Sequence, residues 1–265
     1  RQGYGTIANM AYGIIPHNIV KYYKLVNGDE KMQLSKRLQT VASMVTPGYR
    51  VADIGCDHAY TAIYLAKNRI SPYVVAMDIN QGPLDKAREN IEKYGVSDKI
   101  TIRKSDGLAK LQAGEVDTIL IAGMGGRLMI RILTGNMQVV SAAKELVLQP
   151  QSEIHLVRKA LKDMVFLIIK ESMLKEEGKF YVVIKAKEAS SSLKEKDYQL
   201  IKPEHFYFGR LLLEENNPVL LEYLQSERQT YKSIYDELIK LPTKQSVERQ
   251  LEIEELISLI DHAIG

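Results

Sequence analysis

From Gln33 to Lys187, short apolar runs alternate with segments in which apolar residues recur every three or four positions; beyond that point only the helical period remains. A short apolar run suits a strand buried on both faces, and a period near 3.6 residues suits a helix with one buried stripe. Strands are therefore predicted at Arg50–Ile54, Tyr73–Ile79, Ile100–Arg103, Thr118–Ala122, Leu146–Leu148, Val165–Lys170 and Phe180–Ala186. Helices are predicted at Leu34–Val45, Ala59–Asn68, Gly82–Tyr94, Arg127–Thr134 and Ser152–Lys162. Alternation of this kind implies helical crossovers between parallel strands. Glu176-Glu177-Gly178 joins the last two strands and is too short for a crossover helix, so these two should form an antiparallel hairpin. The expected fold class is α/β, a Rossmann-like, doubly wound, mostly parallel seven-stranded sheet.

The polar, aperiodic stretch Ala189–Lys196 reads as a linker. After it, Leu220, Leu224, Tyr231, Ile234, Leu238 and Leu241 form one helical stripe, Leu-Pro-Thr interrupts, and Val247, Leu251, Ile257, Ile260 and Ile264 form a second. Two antiparallel helices would bury these stripes against each other as a coiled-coil-like helical hairpin. The expected division is an extension over 1–31, a sheet domain over 32–188, a linker over 189–199 and a helical hairpin over 200–265. Arg1–Lys31 is rich in Tyr, Gly and Asn and lacks a long amphipathic period, so it reads as an appendage, artificial or simply non-conforming, with Met32 as the start of the working protein.

Charge sharpens this division. The net charge of +3 is too small to mark a nucleic-acid binder, but Ile201 to the end carries 7 Lys/Arg against 12 Asp/Glu, so the basic character belongs to the earlier residues. The single cysteine, Cys56, allows no internal disulfide, and no apolar run is long enough to span a bilayer, so a reducing cytoplasm is the expected compartment. No His/Cys/carboxylate cluster has metal-ligand spacing, and no metal is expected. A monomer is the expected form.

Candidate chemistry concentrates where the strands end. The first strand runs into Asp53-Ile54-Gly55-Cys56-Asp57-His58-Ala59, in which Gly55 and Ala59 hold the outer small positions of a G-x-G-x-G type turn and Asp57 the middle one. An acid there would repel a pyrophosphate, which disfavours NAD, and would favour a cationic ligand such as the sulfonium and amino group of S-adenosylmethionine. Asp78, followed by Ile79, ends the next strand at the spacing that lets an acid accept from a ribose hydroxyl pair. Ser105-Asp106-Gly107-Leu108 follows the third strand, where Asp106 is placed to bond an adenine amine while Leu108 packs beside the ring. Ala122-Gly123-Met124-Gly125-Gly126 follows the fourth. Its glycines read either as close approach of backbone to ligand or as a tight turn alone.

Together these blocks resemble class I S-adenosylmethionine-dependent methyltransferases. More narrowly, L-S-K-R-L-Q-T-V-A at Leu34–Ala42, A-D-I-G-x-D-H-A-Y at Ala52–Tyr60, Gly82-Pro83, D-G-L, I-A-G-M-G-G at Ile121–Gly126 and L-Q-P at Leu148–Pro150 are similar to the bacterial tRNA (adenine(22)-N1)-methyltransferase family, from Met32 to the C-terminus. Two departures stand out: Asp78 takes the ribose position where Glu is expected more often, and Arg1–Lys31 has no counterpart. The resemblance implies methyl transfer from S-adenosylmethionine, leaving S-adenosylhomocysteine, to N1 of a flipped adenine in tRNA. Asp53, Gly55, Cys56, Asp57, His58, Asp78, Ile79, Asp106, Gly107, Leu108, Gly123 and Met124 would bind the cofactor.

Neutral N1 already carries a lone pair, so orientation should dominate the acceleration and no base is needed. Asp57 either assists by accepting from the adenine amine or only binds the cofactor amino group; Tyr60 either stacks on the flipped base or belongs to the core. His58 reads as structural. Arg37, Arg127, Gln149 and Pro150 are the candidate substrate contacts, the last two as a base pocket. Lys36, Lys104, Arg131, Arg158, Lys159 and Lys162 join Arg37 and Arg127 as a candidate phosphate-tracking surface, and Arg228, Lys232, Lys240 and Lys244 as a basic stripe near the hairpin tip. The competing readings are a methyltransferase for another RNA, protein or small molecule, and a non-catalytic scaffold.

Overall fold

A computed structural model describes residues 33–189, 199–240 and 244–265. The expected extension, all but the ends of the expected linker, and the Leu-Pro-Thr interruption with Leu241 lie outside the described residues. Seven strands form one sheet: β1 (Val51–Ile54), β2 (Val74–Asp78), β3 (Ile100–Lys104), β4 (Thr118–Gly125), β5 (Glu145–Ser152), β6 (Phe166–Glu176) and β7 (Lys179–Glu188). Their order is β3-β2-β1-β4-β5-β7-β6. The first five are parallel, and β7 lies antiparallel between β5 and β6. β1 is buried along its whole length, as its position between two strands and two helical layers requires.

The helices are α1 (Lys36–Met44), α2 (Tyr60–Lys67), α3 (Gln81–Lys93), α4 (Gly126–Thr134), α5 (Met137–Ala142) and α6 (Ile154–Asp163). Alternate side chains of the strands divide between two layers. Ala52, Ile54, Val75, Met77, Ile119, Ile121, Leu146 and Leu148 pack with α4, α5 and α6, while α1, α2 and α3 cover the opposite face.

Several boundaries depart from the sequence reading. α5 was not expected: its MQVVSA sequence is too short to display a period, and it is held by the Asn136 side chain accepting from the Val139 N–H at 3.3 Å. β5 runs on to Ser152, so α6 begins at Ile154. The β6–β7 hairpin forms as expected, but with strands of 11 and 10 residues joined through Glu177 and Gly178, both at positive φ. Its tip reaches back to the first turn of α1: Glu176 accepts from the N–H groups of Lys36 at 2.6 Å and Arg37 at 3.3 Å, and Ser35 caps the same turn. This carboxylate satisfies orphan donors at a helix N-terminus and fixes where α1 presents Arg37.

The C-terminal part comprises a π-helical turn (His205–Gly209), α7 (Arg210–Glu214), α8 (Pro218–Lys240) and α9 (Lys244–Ile264). Arg228 pairs with Asp261, and Tyr235 with Glu254, so α8 and α9 run antiparallel. The α8 stripe lies as expected, but that of α9 is shifted. Val247, Leu251 and Ile264 are exposed, and the buried positions are Ser246, Ile253 and Ile260, each seven residues from the next. The expected basic stripe is also reduced, because Arg228 is engaged by Asp261; Lys232 and Lys240 are exposed, and nothing is described of the Lys244 side chain.

Leu34–Gly265 forms one compact unit. Leu220, Leu224 and Ile260 join the core cluster of the sheet, and a buried ion pair secures the junction. Arg158, 1 % exposed, contacts Glu171 of β6 at 2.9 Å and donates through Nη1 to the carbonyls of Phe206 at 2.8 Å and Tyr207 at 2.9 Å. Arg158 is therefore not part of a phosphate-tracking surface. Gly209, at φ +91°, must be glycine here, because a Cβ would lie 2.6 Å from Glu171 Oε2. Removing one partner of a buried pair costs about 3–5 kcal/mol. Glu171→Ala is expected to lower Tm by roughly 6 °C or more in a thermal melt, at about 2–4 °C per kcal/mol for a domain of this size. A shift within about 1 °C would show that the pair does not secure the junction.

Candidate active site

The carboxyl ends of β1, β2, β3, β4 and β5 collect on one edge of the sheet, where an α/β fold holds its ligands. At the end of β1 the chain turns sharply, with the Gly55 and Cys56 N–H groups donating to the Met77 carbonyl at 2.8 and 2.9 Å. Three alternate residues take left-handed conformations: Gly55 (φ +70°), Asp57 (φ +51°) and Ala59 (φ +59°). A G-x-G-x-G turn asks for glycine at all three, and this chain meets the demand without it at two, at a cost of about 1–2 kcal/mol per residue. Gly55 has a further reason: a Cβ there would lie 2.1 Å from the Met124 methyl group. Ala59 then opens α2 with no side-chain cap, leaving first-turn N–H groups without an intrahelical acceptor.

Negative charge converges on this turn. Asp53 is 4 % exposed, and its Oδ2 has no hydrogen-bond partner. Burial pushes its pKa up to about 7, with the Ala62 N–H opposing and the charge of Asp78 adding. Burial likewise raises the Cys56 thiol, and the charges of Asp53, Asp78 and Asp57 reinforce it. Asp78 accepts from the Asn80 N–H at 2.8 Å through Oδ1 alone, and Ile79 beside it is 54 % exposed. The Asp57 side chain is 69 % exposed, with His58 Nε2 at 3.5 Å. His58 is tied down through its carbonyl, which accepts from Asn90 Nδ2 at 3.0 Å, and its ring lies 6.0 Å from that of Tyr60. Tyr60 is 43 % exposed at the start of α2, which excludes the core reading.

On the third loop, Asp106 is exposed and Gly107 takes φ +50°, while buried Ser105 bonds the Gly107 carbonyl and the Lys110 N–H at 3.1 Å each. Leu108 is 2 % exposed within the core, so its backbone rather than its side chain is available to a ligand. On the fourth, the glycines divide. Gly123 (φ +79°) forms a bulge where a Cβ would meet only the ends of the Arg37 and Gln151 side chains, at 3.6 and 3.8 Å, whereas a Cβ on Gly126 would meet the Ser152 carbonyl at 2.6 Å. Close approach to a ligand remains available at Gly123; Gly126 is required by packing against the chain itself.

The expected base pocket is rearranged. Gln149 is fully buried: its Oε1 accepts from Arg37 Nη1 at 2.8 Å and the Gly123 N–H at 3.1 Å, and its Nε2 donates to the Pro150 carbonyl at 3.0 Å. Pro150 is buried as well. Neither side chain offers a surface to a base. Gln149 instead positions Arg37 and the Gly123 bulge, and the exposed amide at this rim is that of Gln151, which no motif in the sequence singles out. Arg127 is 76 % exposed but already paired with Glu153 at 2.6 Å. No metal-binding group of three or more His/Cys/Asp/Glu occurs among the described residues.

These groups fit a nucleoside bearing a positive charge. An orphaned buried carboxylate oxygen, a second carboxylate with one oxygen unengaged, an exposed isoleucine beside it and a further exposed acid lie along adjacent strand ends, and no basic side chain offsets Asp53. The fold and site define a methyltransferase, and residues 34–184 match the methyltransferase-domain family.

Similarity over the whole unit narrows the class. The chain is 33 % identical over 235 residues to the tRNA (adenine(22)-N(1))-methyltransferase of Bacillus subtilis, covering 88 % of this chain and 98 % of that one. The crystal structure of the B. subtilis m1A22 tRNA methyltransferase TrmK is similar at a TM-score of 0.80 and 33 % identity, covering 89 % of this chain and all of that one. The Mycoplasma capricolum TrmK in complex with S-adenosylhomocysteine is similar at 0.75 and 27 %, covering 87 % and 97 %. The chain belongs to the tRNA (adenine(22)-N1)-methyltransferase family.

The buried acid makes stability depend on pH with a defined sign. Because folding raises the pKa of Asp53, its contribution is fully present below the ordinary carboxylate range and is lost as pH rises toward about 7. The stability of Asp53→Asn relative to wild type should therefore increase from pH 4 to pH 7 and level off above, when urea unfolding is compared across that range. A difference independent of pH would show that Asp53 ionises normally in the fold.

Proposed function

We propose that this chain transfers a methyl group from S-adenosylmethionine to N1 of an adenosine in tRNA, with adenosine 22 as the target. The observation that carries the reading is the uncompensated carboxylate cluster of Asp53, Asp57 and Asp78 around one strained turn, in a chain whose relative over 88 % of its length bears that activity. S-adenosylmethionine, when bound, supplies the methyl group on a sulfonium centre. Asp78 would accept from its ribose and Asp106 from its adenine amine, with Ile79 against the ring; Asp53 and Asp57 would offset its positive charge, and Gly123 and Met124 would complete the binding residues.

N1 of adenine is a nucleophile without deprotonation, so the residues around it need only orient the base, exclude water and stabilise the positive charge that develops on the ring. Asp57 is exposed enough to accept from the N6 amine of that base, and Tyr60 to stack on its face. Arg37, held by Gln149 and by the clamp of Glu176 on α1, offers a fixed cation to the RNA backbone. Lys36, Lys104, Arg131 and Lys159, exposed on the same unit, extend the phosphate-tracking surface, and Arg127 joins by exchanging its partner. No helix among the described residues is long and apolar enough to cross a membrane. We place the reaction in the cytoplasm, carried out by a monomer, with the helical hairpin positioning tRNA by shape.

Wild-type protein should label unmodified tRNA with methyl groups and create a reverse-transcription stop at one adenosine, since N1 methylation blocks pairing. Labelling of protein but not tRNA would sink the reading. Asp57→Gly separates its two roles without straining the turn: Tm should rise, because a left-handed non-glycine residue costs about 1–2 kcal/mol. Methyl transfer should fall by about tenfold or more. If cofactor affinity is retained, the carboxylate serves the base; if it is lost, the carboxylate serves the cofactor. Below pH 7, cofactor affinity measured by calorimetry should weaken toward a limit of about tenfold per pH unit as Asp53 takes up a proton. Asp53→Asn should remove that dependence; its persistence would assign the proton elsewhere.

A further inference from the structure

A cavity of about 500 Å³ lies beside the catalytic edge, between the β6–β7 hairpin, α6, the π-helical turn and the first turns of α8. No function described so far uses it. Gln151, Arg158, Phe180, Tyr181, Tyr207 and Tyr223 shape its walls, and Lys179 stands at its rim. It adjoins the active site through two contacts. Gln151 Nε2 comes within 3.8 Å of the Cβ position of Gly123, and Arg37 lies 5.7 Å over the Tyr181 ring.

The lining has a specific chemistry. Its aromatic rings are already ordered by partners: Tyr207 stacks on His155 at 4.8 Å and 5°, and Phe180 meets Tyr223 edge-on at 5.3 Å. The lining residues include Lys179 and Arg158 but no carboxylate. Arg158 Nη2 is held by Glu171 Oε1 at 2.9 Å behind the wall, and Gln151 is exposed with no hydrogen bond to its amide among the described residues. Aromatic faces, an amide able to read a base edge and the exposed cation of Lys179 at the rim suit an aromatic anion, and the volume falls within the range of about 300–1,000 Å³ for small-ligand pockets. A lipid tail would want a drier wall.

We propose that this cavity receives an unstacked nucleotide of the tRNA, next in sequence to the methylated adenosine. The inference rests on the tRNA reading above. Seating the neighbour separately keeps the strand splayed while the target base occupies the catalytic edge, so the cavity acts on RNA binding rather than on the methyl donor. Tyr181 and Tyr207 supply stacking surface, Gln151 the hydrogen-bonding edge and Lys179 a phosphate contact.

The test is a double-mutant cycle between Tyr181→Leu and full-length unmodified tRNAs carrying an abasic residue on either side of the target adenosine. Stacking of one base is worth about 1–3 kcal/mol, so Tyr181→Leu should raise KM for intact tRNA by about 5- to 150-fold, with cofactor affinity unchanged by calorimetry. On the tRNA whose abasic residue falls at the seated position, the variant should cause little further loss. Losses that add at both flanking positions, or an unchanged KM, would overturn the proposal while leaving methylation of tRNA intact. Failure of the wild-type protein to label tRNA would overturn the underlying reading and this one together. Should Tyr181→Leu not fold, Lys179→Ala, an exposed substitution, serves instead: the slope of log KM against log salt should fall by about one, and an unchanged slope counts against the proposal.

Discussion

The C-terminal helical part of this molecule hangs on one buried guanidinium. Arg158 and Glu171 are almost wholly removed from water, a situation in which desolvation often exceeds the attraction between charges. An apolar pair of the same volume would nonetheless fail at this junction. The π-helical turn presents the Phe206 and Tyr207 carbonyls to the interior, and buried carbonyls require donors. Arg158 supplies donors to both while its charge is balanced by Glu171. Gly209 makes room for the arrangement, and only then can Leu220, Leu224 and Ile260 complete the core of the sheet. The helical hairpin is thus mounted on the catalytic unit by a buried ion pair and the carbonyl contacts of its guanidinium, with apolar contacts filling in around them.

The sheet itself divides into two working parts. The parallel strands β1, β2 and β3 bring the acids together, because each ends at the same edge and carries an aspartate at its end or in the turn that follows. The antiparallel pair β6 and β7 has no such turn. Its contribution is mechanical: the hairpin tip delivers Glu176 to the first turn of α1 and so sets the position of Arg37, while Gln149 on β5 holds the far end of that side chain. A residue near the beginning of the described chain is thereby located by residues more than a hundred positions away.

The architecture was largely legible because it rests on period and connection length. All seven strands and five of the six sheet-domain helices follow from apolar runs, and the hairpin from a loop too short to cross over. α5 escaped because six residues cannot show a repeat. The seam of α9 was legible only in part: Ile260 is buried as expected, but sequence offers Val247 and Leu251 as good apolar candidates where the partner helix selects Ser246 and Ile253, at seven-residue spacing from Ile260. The site was legible where the backbone dictates chemistry, as at Gly55, Asp57 and Gly123. It was not legible where burial decides, so Arg158 looked like a surface cation and Gln149 like a base contact. A hydrogen-bonding side chain does not reveal from sequence whether its partner will be a ligand or the protein.

Asp57 carries a consequence beyond this chain. Its backbone conformation is one in which glycine is more stable, so every generation of mutation offers the fold a small gain for giving up the carboxylate. A carboxylate that serves the base or the cofactor, as proposed above, would hold an acid there against that drift, and the turn then gives up about 1–2 kcal/mol of stability to keep it.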